Sequence, residues 1–70
     1  MEIIFTSHAE FRMRKRNLSR EDVLDALKHP DTTRRKHGLY FAQKDIGRGS
    51  IEICYERTVK YIKIVTLYWI

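Results

Sequence analysis

Apolar positions along this chain follow two different periods, and the change falls near Asp31. The opening Glu2-Ile-Ile-Phe5 is short, apolar and β-branched. That composition suits an edge strand or an arm laid on a core. Ser7 and Glu10 stand three apart, the spacing of a capping box, and predict a helix from about Ser7 to Arg16. Its apolar residues are few: Ala9 and Met13 share a side, while Phe11 lies well round the barrel. Asn17-Leu18 breaks it. Ser19 caps a second helix with acids Glu21 and Asp22 in its first turn, where the helix dipole favours them. Leu18 and Val23 have the spacing of a hydrophobic staple. Val23, Leu24, Ala26 and Leu27 form a clear apolar face, and Pro30 ends the helix after Lys28 and His29.

Beyond Asp31 the period becomes two. Thr32 to Lys44 reads as one long extended stretch, and Asp45 to Gly49 as a turn marked by its glycines. Ser50 to Glu56 alternates cleanly, with Ile51, Ile53 and Tyr55 on one face and Glu52, Cys54 and Glu56 on the other. Arg57-Thr58 reads as a tight turn. Val59 to Ile70 is apolar on both faces, Tyr61, Val65, Leu67 and Trp69 against Ile62, Ile64 and Tyr68, as in a strand covered on both sides or central in a sheet. The expectation is a single α+β domain over residues 1–70. A short N-terminal strand and two helices pack on one face of an antiparallel sheet of three to four strands.

At 70 residues the chain supports one small core and no internal repeat. Charged residues make up 33% and hydrophobic ones 43%, which excludes a disordered chain. No apolar run approaches a membrane span, and Met1 to Phe5 lacks the basic start of a signal peptide, so no membrane partner is expected. One cysteine, Cys54, cannot form an internal disulfide, and a cytoplasmic setting is the expectation. The histidines His8, His29 and His37 have no metal-ligand spacing, so neither a metal nor another cofactor is expected. His29, at the end of the second helix, reads as a dipole partner, and Cys54 as a small packed side chain.

The net charge of +5 changes this picture, because of where it falls. In a helix from Ser7 to Arg16, His8, Arg12 and Arg16 occupy one contiguous arc, with Lys15 beside it. Glu10 and Arg14 fall on the opposite side, four apart, and are expected to pair. A second basic cluster is Arg34, Arg35 and Lys36. Such surfaces meet carboxylates, water or phosphate. Metal-independent RNA cleavage needs a base for the 2′-hydroxyl proton, cations for the charge building on phosphate, and an acid for the leaving oxygen. An imidazole changes protonation near neutral pH, and guanidinium forks suit phosphate. Tyr40, Tyr55, Tyr61 and Tyr68 are available to stack on bases or to donate a proton. The competing reading pairs the arginines with Glu52 or Glu56 on the sheet.

The run from His8-Ala9 through Phe11-Arg12-Met13, Arg16, Leu18-Ser19, Glu21-Asp22-Val23 and Ala26-Leu27 to Pro30 resembles the opening of the domain of unknown function 4258 family, and Val65-Thr66-Leu67-Tyr68 resembles its last strand. The family itself resembles RelE/ParE-like toxins and other metal-independent ribonucleases. The resemblance implies a RelE-like fold and an mRNA interferase-like toxin of a toxin–antitoxin system. It maps family positions onto His8, Arg12, Arg16, Thr66 and Tyr68. On this reading His8 is the acid–base group, Arg12 and Arg16 clamp phosphate, Tyr68 is an accessory donor, and Lys15, Arg34, Arg35 and Lys36 contact RNA. An acidic antitoxin is the partner so implied, and a homodimer fits every reading because the core of so short a chain is marginal. The alternatives are a non-catalytic nucleic-acid-binding module and a small protein-interaction domain.

Overall fold

A computed structural model describes residues 2–70. Its elements are β1 (Glu2–Phe5), α1 (Ser7–Arg16), α2 (Arg20–Lys28), β2 (Thr32–Lys36), β3 (Leu39–Asp45), β4 (Ser50–Arg57) and β5 (Tyr61–Trp69). They form an α+β fold around one five-stranded sheet, in the order β1-β5-β4-β3-β2. The four later strands are an antiparallel meander, whereas β1 runs parallel to β5, with Phe5 opposite Ile64. The sheet is therefore mixed and five-stranded, where three to four antiparallel strands were expected. The extra strand comes from the stretch 32–44, which is two strands and not one. His37 and Gly38 both adopt positive φ, 54° and 78°, and make a two-residue turn between Lys36 and Leu39. Positive φ at both central residues matches the right-handed twist of the flanking strands.

Both helix spans follow the sequence expectation, but the first cap does not. Thr6 is the capping residue: its hydroxyl accepts from the Ala9 amide at 3.1 Å and donates to the Ile64 carbonyl at 2.8 Å. Ser7 is thus the first helical residue. Thr6 does two things at once, closing the helix start and fixing it over β5. At the other end Asn17 takes the left-handed conformation, φ 56°, and the Leu18 amide returns to the Met13 carbonyl. The Trp69 indole N–H donates to the Arg16 carbonyl, so α1 is tied to β5 at both ends. In α2 the expected capping by Ser19 is present, with Asp22 completing the reciprocal pair.

Ala9, Met13, Val23 and Ala26 from the helices meet Ala42, Ile51, Ile53, Tyr55, Ile64 and Leu67 from the sheet. The alternation expected in β4 holds. In β5 it does not, because the register slips: Cys54 pairs with Thr66 but Tyr55 with Ile64, leaving Val65 as an extra residue. A bulge of this kind reverses the parity of the strand. Ile62 and Ile64 therefore share the helix-covered face with Leu67 and Trp69, instead of opposing them. The strand begins at Tyr61, after a turn in which the Thr58 hydroxyl accepts from the Lys60 and Tyr61 amides; this replaces the tight Arg57-Thr58 turn. Among the described residues no helix is long and apolar enough to cross a membrane.

Candidate functional site

Because Thr6 pins the start of α1 to Ile64, the next turn of helix lies beside β5 just past the bulge. His8 consequently reaches Thr66, with its Nε2 3.2 Å from the threonine hydroxyl. One helical turn on, Arg12 Nε donates to the same nitrogen at 3.4 Å. A guanidinium has only donors. Nε2 is thus the ring nitrogen that faces Arg12, and the Thr66 hydroxyl stands beside it. The result is an exposed imidazole nitrogen flanked by a permanent cation and a hydroxyl.

The side chains of the neighbouring cations are equally uncommitted. Among the described residues the ion pairs are Arg20–Glu10 at 3.2 Å, Arg48–Asp22 at 2.8 Å, Lys44–Asp31 at 3.8 Å and Arg34–Glu52 at 3.6 Å. Glu10 thus pairs with Arg20 and not with Arg14 as its spacing suggested. Among the described residues Arg12, Arg14, Lys15 and Arg16 take part in no ion pair. Lys15 lies 5.6 Å from the centroid of the exposed Phe11 ring.

The face of the sheet away from the helices carries a second polar group. Glu52 is only 3% exposed although no helix covers it. Its Oε1 accepts from the Tyr68 hydroxyl directly opposite, and its Oε2 accepts from Gln43 Nε2 at 2.8 Å on the other neighbouring strand. Arg34 lies over the Phe41 ring at 4.6 Å and completes the cluster. Burial alone would raise the Glu52 carboxyl, but the hydrogen bonds from Tyr68 and Gln43 and the charge of Arg34 outweigh it and hold it below the usual carboxylate range. The same hydrogen bond, with burial and the nearby negative charge, pushes Tyr68 up to about 12. Cys54 sits beside this group, buried, with its thiol raised by burial and by Glu52.

The sequence-based set is therefore partly gathered and partly dispersed. His8 and Arg12 come together, joined by Thr66, and Tyr68 stands two residues beyond Thr66 on the same strand. Arg16 projects from the far end of α1, where its carbonyl holds Trp69. Alternation along β2 splits the second basic cluster: Arg34 turns to the Glu52 face, while Arg35 lies 5.4 Å from the Tyr40 ring on the helix side. Lys36 is exposed at the end of β2. A shallow pocket of about 330 Å³, lined by Tyr40, Arg57, Thr58 and Val59, contains none of the site residues read from the sequence. Glu52 and Gln43 were not singled out for the site. The one available signal was a carboxylate alternating away from the core on a strand otherwise rich in isoleucine.

The profile of the family described as Domain of unknown function (DUF4258) matches residues 5–69. The chain belongs to that family. Neither the curated proteins nor the solved structures offer a match. The matched span of this DUF4258 domain runs from Phe5 to Trp69, so it includes the helix bearing His8 and Arg12 and the strand bearing Thr66 and Tyr68.

Proposed function

We propose that this DUF4258 domain is a small metal-independent endoribonuclease of the mRNA interferase type, the toxin member of a toxin–antitoxin pair. The observation that carries the reading is the His8 constellation, with the ring nitrogen Nε2 3.2 Å from the Thr66 hydroxyl and 3.4 Å from Arg12 Nε. These supply the base and the cation that cleavage by an internal nucleophile requires. His8 takes the proton of a ribose 2′-hydroxyl as the 2′-oxygen bonds to phosphorus. Arg12 balances the charge that builds on the phosphate oxygens, and Arg16 and Lys15 hold the adjoining backbone. The bond to the 5′-oxygen breaks, and that oxygen takes a proton from the imidazolium or from water. The products are a 2′,3′-cyclic phosphate and a 5′-hydroxyl. Two helices on one face of a largely antiparallel sheet is the arrangement the RelE/ParE-like resemblance implies, and an acidic antitoxin would answer the cationic helix. Fold likeness supports the reading only as analogy.

The test is cleavage of end-labelled RNA in the presence of a chelator, alongside growth of cells expressing the chain. His8→Ala should lower the cleavage rate by about 100- to 10,000-fold, the usual contribution of a positioned acid–base group. Arg12→Ala should also abolish growth arrest. Variants as active and as toxic as the parent would remove His8 and Arg12 from the mechanism.

One observation favours a second reading, a non-catalytic RNA-binding module. The Tyr68 proton is committed to Glu52, so no second acid stands free beside His8. This reading expects RNA binding that weakens steeply with salt and leaves the RNA intact.

A further inference from the structure

We propose that Tyr68 is the group by which this site tells ribose from deoxyribose: its phenol oxygen, with its proton given to Glu52, accepts a hydrogen bond from a 2′-hydroxyl. The inference rests on reading the His8 site as one for RNA.

The argument begins with the carboxylate. Burying an ion on a strand costs more than burying an isoleucine, and replacing buried ionic groups with apolar ones is often neutral or stabilising. The flanking residues Ile51 and Ile53 show what β4 uses where packing alone decides. Glu52 nevertheless stays 3% exposed and collects three donors, Tyr68, Gln43 and Arg34. Ionised, it offers no proton in return. A phenol has one proton and two lone pairs. With Glu52 taking the proton, Tyr68 has only lone pairs left to present to a ligand.

That makes Tyr68 an acceptor in search of a donor. Phosphate supplies none at neutral pH. In a nucleic-acid backbone the donor is the 2′-hydroxyl, which is also what separates RNA from DNA. Position agrees with this. Thr66 and Tyr68 are two residues apart on one face of β5, roughly 7 Å, and Thr66 touches His8. On this proposal a nucleotide whose phosphate meets Arg12 runs its own or its neighbour's ribose along the end of β5 towards the phenol.

The experiment is fluorescence anisotropy with three single-stranded probes of one base sequence: RNA, DNA, and RNA carrying 2′-fluorine. The fluoro probe keeps the ribose shape, cannot donate, and cannot be cut from within. The full chain is expected to bind RNA about 3- to 10-fold more tightly than either other probe, the range for one net hydrogen bond. Tyr68→Phe should level the three by weakening RNA alone, so its unchanged DNA affinity also reports a folded chain. Glu52→Gln offers an amide N–H to the phenol oxygen and should shrink the preference in the same way. An RNA preference that survives Tyr68→Phe overturns the proposal, as does a parent chain that binds all three alike or a variant that loses all three together. A parent chain that binds none of the probes overturns the RNA-site reading itself, and this inference with it.

Discussion

The buried carboxylate of Glu52 shapes how this domain should respond to pH at both ends of the range. Glu52 is held below its ordinary value near 4.5, so its contribution to stability is complete above that value and is lost as the pH falls through the folded-state value. Tyr68 is raised from about 10 to about 12, so its contribution is complete below pH 10 and fades as the pH rises towards 12. Urea unfolding midpoints should therefore drop on an acidic limb below about 4.5 and on an alkaline limb between 10 and 12. Glu52→Gln should make both limbs shallower, leaving the share of Asp22 on the acidic side, and return the Tyr68 phenol towards 10, followed by its phenolate absorbance. A parent chain in which every tyrosine ionises near 10 would contradict this coupling. His8 and Arg12 were legible in the sequence because helical spacing is local. The pairing of Tyr68 with Glu52 was not, since their meeting depends on cross-strand register set by the chain between them.

At the scale of elements, the helices were legible almost to the residue and the sheet only in part. Ser19 and Pro30 bound α2 with chemistry that acts within a turn, and Asn17 closes α1 in the same way. The start of α1 is governed instead by the Thr6 bond to Ile64, 58 residues away in sequence. Strand β2, Thr-Thr-Arg-Arg-Lys, is wholly exposed and has no apolar alternation, so nothing in its pattern separates it from β3. The β5 bulge is equally silent, for a run apolar on both faces reads the same in either parity. One junction joins these elements. Arg48, on the β3–β4 turn, donates to Asp22 at 2.8 Å and to the Asn17 carbonyl at 3.0 Å, and it lies over Trp69. That turn needs Gly49: its φ is +141°, and a Cβ there would stand 2.8 Å from the Trp69 ring. Gly49→Ala should thus cost about 1–3 kcal/mol, combining backbone strain with displacement of Trp69. The measurement is urea denaturation followed by Trp69 fluorescence. An unchanged midpoint would mean that the turn and the indole move apart freely.

The molecule as a whole is small, and its stability rests on few residues. A domain of this length buries only about 60% of its unfolded surface and holds roughly 3–5 kcal/mol in reserve. Its strand order concentrates that reserve in the middle. β1 reaches β5 across almost the whole chain, so β5 is an interior strand, gripped by β1 and β4 and covered by α1. Leu67 of β5 is fully buried, whereas Val59, on the turn before it, is 93% exposed. Leu67→Ala removes three carbons from a fully buried site in the core between helices and sheet, and such truncations cost about 2–5 kcal/mol. That equals most of the reserve. At 25 °C the variant should be substantially unfolded by circular dichroism, with a cooperative transition shifted to very low urea. Val59→Ala should stay within about 0.5 kcal/mol of the parent, as exposed positions do. The contrast between two apolar residues eight apart is the check on the sheet order. If the two variants unfold alike, β5 is not the interior strand and the placement of Thr66 beside α1 falls with it.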